Sequence, residues 1–94
     1  MPAWFYILRL RSQHLYSGST RSLEKRIKEH FDGKGGRTTN IDRPVAFVYS
    51  EEHPTYKNAF RREQQVKRWS RAKKEALIAG KLDQLKRLAK KKTR

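Results

Sequence analysis

The stretch Leu15–His30 constrains this chain most, because its periodicity changes half-way along. Leu15-Tyr16-Ser17-Gly18-Ser19-Thr20 reads as a short extended segment, and a glycine inside a strand marks a close approach by another backbone or a ligand. Leu23, Ile27 and Phe31 then recur at helical spacing, with Ser22 as the expected N-cap, Glu24 in the first turn and Gly33 as the stop. Arg26 and His30 stand one turn apart on a ridge bordering that apolar side. A strand running straight into a helix thus gathers a phenol, a guanidinium and an imidazole within sixteen residues. Such a set suits a site that handles phosphate.

The rest of the chain supplies partners for this unit. Trp4–Leu10 is an apolar, aromatic and branched run that favours a strand, and the polar Arg11-Ser12-Gln13-His14 is the expected turn of an antiparallel hairpin with Leu15–Thr20. Period-two alternation places Trp4, Tyr6, Leu8 and Leu10 on one face, and Tyr16 with Gly18 on one face of the partner. Asp32–Arg43, with three glycines among charged residues, reads as a mobile loop. Pro44–Ser50 runs without polar interruption through Val45-Ala46-Phe47-Val48-Tyr49, which predicts a third strand buried on both faces rather than an edge.

A second helix is expected from Thr55 to Trp69, with Ala59, Phe60, Val66 and Trp69 on a broad apolar arc that Glu63 interrupts. Ser70 opens a third over Arg71–Ala79, closed by Gly80. Leu82, Leu85, Leu88 and Ala89 give the spacing of a last helix before the basic tail. The organisation expected is α+β, one domain over residues 1–80 with residues 81–94 as its basic C-terminal helix and tail.

Charge narrows the partner. Lys and Arg number 24 against 9 Asp and Glu, a net +15, and residues 61–94 carry +11 of it. A chain this basic calls for a polyanion, with Arg62, Lys67, Arg68, Arg71, Lys73 and Lys74 as candidate backbone contacts, although most charge runs are simply solvated faces. The absence of cysteine excludes disulfides and thiolate metal sites, no run of ~18 apolar residues offers a membrane span, and the N-terminus lacks a secretion pattern. A cytoplasmic protein without a membrane partner is the expectation.

Each candidate has a plainer alternative. An ionised carboxylate on an inward face costs several kcal/mol unless it is paired or bound to a cation. Glu63 is therefore either half of an ion pair, with Arg26, Arg62 or Lys67, or the carboxylate of a one-carboxylate Mg²⁺ site completed by water and phosphate oxygens. Tyr6 alone would be core packing, whereas Tyr16 beside Gly18 is less easily dismissed. A phenol acts as a general base only where cations lower its pKa from ~10. His30 could equally serve as the cation at a helix C-terminus.

Trp4-Phe5-Tyr6, then Tyr16-Ser17-Gly18, then Arg26, His30 and finally Glu63 in Arg62-Glu63-Gln64-Gln65-Val66-Lys67 form a pattern that resembles the GIY-YIG nuclease superfamily, and more closely its small bacterial single-domain group. The resemblance runs from about Trp4 to Ile78. It implies a three-stranded antiparallel sheet flanked by helices and a metal-dependent endonuclease that hydrolyses DNA phosphodiesters. Glu63 would hold Mg²⁺ or Mn²⁺, Tyr16, hydrogen-bonded to Tyr6, would activate water, Arg26 would stabilise the phosphate, and His30 would assist. The first triplet keeps only its tyrosine, Ser17 replaces an isoleucine, and Ser19 stands where some members carry a lysine that supports the second tyrosine. With no appended DNA-binding domain, a DNA structure is the expected target, and RNA stays open. A rival reading is a non-catalytic nucleic-acid-binding module on the same fold. A third makes Glu63 and Arg26 a pair that only holds helices together.

Overall fold

The computed structural model describes residues 1–80, so the helix expected over 82–89 and the basic tail lie outside the described residues. Strand β1 (Ala3–Leu10) pairs antiparallel with β2 (Leu15–Thr20) through a turn in which the Leu10 N–H donates to the His14 carbonyl oxygen, and Gln13 takes φ +75°. Helix α1 (Leu23–Phe31) follows, then the short α2 (Arg37–Ile41), β3 (Pro44–His53), α3 (Tyr56–Lys67) and α4 (Arg71–Ile78). The sheet order is β2-β1-β3, antiparallel throughout.

That order corrects one expectation. The strand buried on both faces is β1, which holds Phe5, Tyr6, Ile7 and Leu8 at 0–1% exposure. β3 is an edge strand, with Val45 and Phe47 open to solvent. Both runs are apolar, but β1 is the central strand, with an apolar cluster packed on each of its faces. The pairing of β1 with β3 skips twice, between Ile7 and Leu8 and between Arg9 and Leu10. Such irregularities gather at sheet edges.

Two apolar clusters sandwich the sheet. Tyr6, Leu8 and Leu10 pack with Tyr16, Leu23 and Ile27 beneath α1. Phe5 and Ile7 pack with Val66 of α3 and Leu77 of α4. The side chain of Thr55 caps α3 by accepting from the Asn58 N–H, and Ser70 caps α4 by accepting from the Lys73 N–H. Arg9 donates twice to the Glu75 carboxylate, at 2.8 and 2.9 Å, which ties β1 to α4. Phe31 and Phe60 are more exposed than their helical positions suggested. The expected mobile loop contains a helical turn, α2, whose Thr39 is buried.

Candidate active site

The site is built outward from Tyr6. Cross-strand register sets Tyr6 opposite Gly18 and Leu8 opposite Tyr16, so both phenols lie on the α1 face. A Cβ at Gly18 would fall 2.4 Å from the Tyr6 hydroxyl oxygen and 2.5 Å from its Cζ. The glycine therefore makes room for the Tyr6 ring, and the close approach that its presence signalled comes from within the sheet rather than from a ligand.

His30 closes over this ring. Far from lying on an outer ridge, it is wholly buried and is the one α1 residue in that class. Its Nε2 is 2.8 Å from the Tyr6 hydroxyl and its Nδ1 is 2.9 Å from Thr39 Oγ1. A neutral imidazole carries one N–H, so the ring donates to one oxygen and accepts from the other. Burial, reinforced by the Arg26 charge, lowers the His30 pKa to about 4. Burial, reinforced by Tyr16, pushes the Tyr6 phenol up to about 12, against the opposing pull of Arg26. At neutral pH both groups are uncharged. The expected bond between the two phenols is thus replaced by Tyr6–His30, while Tyr16 sets its ring edge-on to His30 at 5.1 Å between centroids.

Arg26 is half-buried beside these rings. Its Nη2 donates to the Gly35 carbonyl oxygen at 2.9 Å and its Nη1 donates to Glu29 at 3.4 Å. The segment carrying Gly35 lies directly on the imidazole, for a Cβ there would meet His30 Nδ1 at 2.2 Å. Gly35 and Thr39 thus lock the imidazole, and Gly35 also braces the guanidinium.

Glu63 approaches from the other face of the sheet. Ser19, opposite Phe5 in the register, points to the α3 side, and its Oγ donates to Glu63 Oε1 at 2.7 Å. Lys67 Nζ pairs with Oε2 at 2.7 Å, and Glu63 as a residue is 7% exposed. β2 is an edge strand, and the Glu63 charge is the smallest of the influences that raise the Tyr6 pKa. Of the partners considered for Glu63, Lys67 is the one found. Arg26 turns to Glu29, and Arg62 donates to Glu51 at 2.8 Å.

Among the described residues no group of three or more His, Cys, Asp or Glu side chains is gathered to hold a metal. A single hard carboxylate still suits Mg²⁺ or Mn²⁺, which keep water and substrate oxygens as ligands. Lys67, whose side chain is half-exposed, balances the Glu63 charge. The donor set therefore fits one such ion.

Comparison with known proteins decides the family. The GIY-YIG catalytic domain model matches residues 2–76. The chain belongs to the GIY-YIG family. It is 41% identical over 76 residues to UPF0213 protein SSP2268 of Staphylococcus saprophyticus, covering 81% of this chain and 93% of that one. It is 37% identical over 75 residues to UPF0213 protein YazA of Bacillus subtilis, covering 80% and 76%. The solution NMR structure of UPF0213 protein BH0048 from Bacillus halodurans matches at TM-score 0.56 and 37% identity over 86% of each chain.

Within this GIY-YIG domain, Tyr6, Tyr16, Arg26 and His30 form one cluster, and Glu63 lies on the other face of the sheet, bonded to Ser19 of β2. The basic candidates are dispersed. Arg62 and Lys73 flank the Trp69 ring at 5.0 and 4.2 Å, Arg71 pairs with Glu75, Lys67 is engaged with Glu63, Arg68 is exposed and Lys74 is partly buried. Sequence reasoning missed Thr39, Gly35 and Ser19 as parts of the site. The alternation of β2 already put Ser19 opposite to Gly18, but nothing local shows that the 33–43 segment folds back over His30. No helix of the described residues is long and apolar enough to cross a membrane.

Proposed function

We propose that this GIY-YIG domain is a divalent-metal-dependent endonuclease that hydrolyses DNA phosphodiesters and selects DNA structure rather than sequence. The observation that carries the reading is Glu63, a nearly buried carboxylate held by Ser19 of β2, the strand that also carries Tyr16, and balanced by the half-exposed Lys67. Glu63 would hold Mg²⁺ or Mn²⁺, which when bound would polarise the phosphate and acidify a water. Arg26, fixed by Gly35 and Glu29, presents a permanent positive charge to the phosphate as charge develops on it. Tyr16, half-buried, would orient and deprotonate the attacking water. Tyr6 stays protonated, and His30, with both nitrogens engaged, holds it in place rather than meeting the substrate.

The test is cleavage of end-labelled single-stranded, duplex, nicked and branched DNA, with RNA counterparts, in Mg²⁺, Mn²⁺ or EDTA, by wild type and by Glu63→Ala at matched salt. Metal-dependent products that vanish in the variant support the reading. Tight, salt-sensitive binding with no cleavage in any metal would replace it by the binding-module reading. The Lys67–Glu63 pair favours a purely structural role as the second alternative. In that case Glu63→Gln would lower thermal stability and Mg²⁺ would not raise it in the wild type.

A further inference from the structure

On the outer side of Glu63, the first turns of α3 leave two large rings in water. Tyr56 is 38% and Phe60 45% exposed, and the rings stack nearly parallel, with centroids 6.3 Å apart and 19° between planes. The guanidinium of the exposed Arg21 stands over Tyr56, 5.5 Å from its centroid. Beneath it lies a cleft of about 390 Å³ lined by Ser19, Thr20, Arg21 and Tyr56, within the ~300–1,000 Å³ range of clefts that take ligands. Ser19 joins this cleft to the proposed metal carboxylate, since its Oγ lies 2.7 Å from Glu63 Oε1 and 3.4 Å from the Tyr56 hydroxyl. A neighbouring cleft is lined by Trp4, Arg21, Ser22 and Lys25, and a third by Thr20, Ser22, Lys25, Arg26 and Glu29. The three share lining residues, so Tyr56 and Arg26, the arginine proposed to bind phosphate, border adjoining depressions.

We propose that Tyr56 and Phe60, with Arg21 as a movable cation above them, form a stacking subsite for one unpaired nucleobase next to the phosphate held at Arg26 and Glu63. The inference rests on the nuclease reading for its direction, because it names what lies beside the cut bond. The occupant follows from chemistry. A flat, neutral π-face attached to an anionic backbone matches flat rings under a guanidinium in a chain of net charge +15. A base paired in an intact duplex has both faces covered and cannot enter, so the subsite selects single-stranded or locally opened nucleic acid. The plainer account, that Tyr56 and Phe60 are an i,i+4 pair stabilising a helix surface, predicts no effect on binding.

The experiment uses the full chain in EDTA, where no metal-dependent cleavage interferes. The probes are a single-stranded oligonucleotide containing 2-aminopurine and a blunt duplex of the same sequence, at one salt concentration. Stacking quenches the 2-aminopurine fluorescence on binding. A Tyr56→Ala, Phe60→Ala double variant is expected to lose the quenching and about 10- to 100-fold in single-strand affinity, with duplex affinity held within about twofold. Tyr56→Trp retains both signals, and because both rings are exposed, melting curves should show every variant folded. Unchanged single-strand affinity, or an equal loss on both probes, overturns the subsite. The two readings fail separately. Intact quenching with no cleavage in any metal removes the nuclease and keeps the subsite, whereas Glu63-dependent cleavage with no effect of the double variant does the reverse.

Discussion

At the scale of single residues, the site consists of groups that leave each other no slack. The Tyr6 ring occupies the space of a missing Cβ at Gly18, so Gly18→Ala must displace either the ring or the strand. It is expected to cost about 1–3 kcal/mol, as overpacking does, and to abolish cleavage, which melting curves and the nuclease assay check together. The buried imidazole makes stability depend on pH in a stated direction. The folded pKa of His30, about 4, lies below the ordinary 6.5 of the unfolded chain. Its contribution is therefore complete above pH 6.5 and is lost as pH falls towards 4, by about 3 kcal/mol in all. Tyr6 behaves oppositely. With its phenol raised to about 12, its contribution is complete below pH 10 and is lost as pH climbs to 12. Urea unfolding across pH 5 to 6.5, a range above the usual carboxylate pKa values, should show the histidine limb in the wild type and not in His30→Asn. A signal assigned to the His30 imidazole that titrates near 6.5 would contradict the buried, neutral ring.

At the scale of elements, the sequence was most legible where a local pattern and its tertiary partner agree. The hairpin turn, the Ser22, Thr55 and Ser70 starts, and the strand-to-helix passage of Tyr16 to His30 all rest on neighbours in the chain. The exchange of central and edge strands was not legible, because β1 and β3 are similar apolar runs and only pairing distinguishes them. Nor was α2, five residues among glycines, whose position depends on Gly35 lying against His30 and on Thr39 reaching its Nδ1. That contact gives the element a measurable role. Thr39→Val keeps the shape and removes the hydroxyl, leaving Nδ1 without its partner at a cost of about 1–3 kcal/mol. It is expected to loosen α2, which hydrogen exchange of the 36–42 amides reads directly, while Thr39→Ser restores protection. Equal protection in wild type and Thr39→Val would mean that α2 is held by something other than this bond.

At the scale of the whole molecule, the net charge is +15 with every carboxylate already counted, and some of the cations are engaged inside the fold. Glu51, Glu63 and Glu75 each take a cation from α3 or α4, through Arg62, Lys67 and Arg71. Nucleic-acid binding therefore draws on cations outside these pairs, and Lys67 is the paired one whose availability depends on the proposed metal site. While Glu63 is a bare carboxylate, the ammonium sits on it at 2.7 Å. Once the carboxylate is neutral, Lys67 is free to neutralise a phosphate. Each phosphate so engaged steepens the dependence of log K on log salt by about 0.7–0.9. Glu63→Gln in EDTA is accordingly expected to bind single-stranded DNA more tightly than wild type at low salt, with the slope steeper by about that amount. Adding Lys67→Ala to Glu63→Gln should return the slope to the wild-type value. Titrations at four or five salt concentrations measure both. An unchanged slope in Glu63→Gln, together with a lower melting temperature, would mean that Lys67 serves only to hold α3 to the sheet.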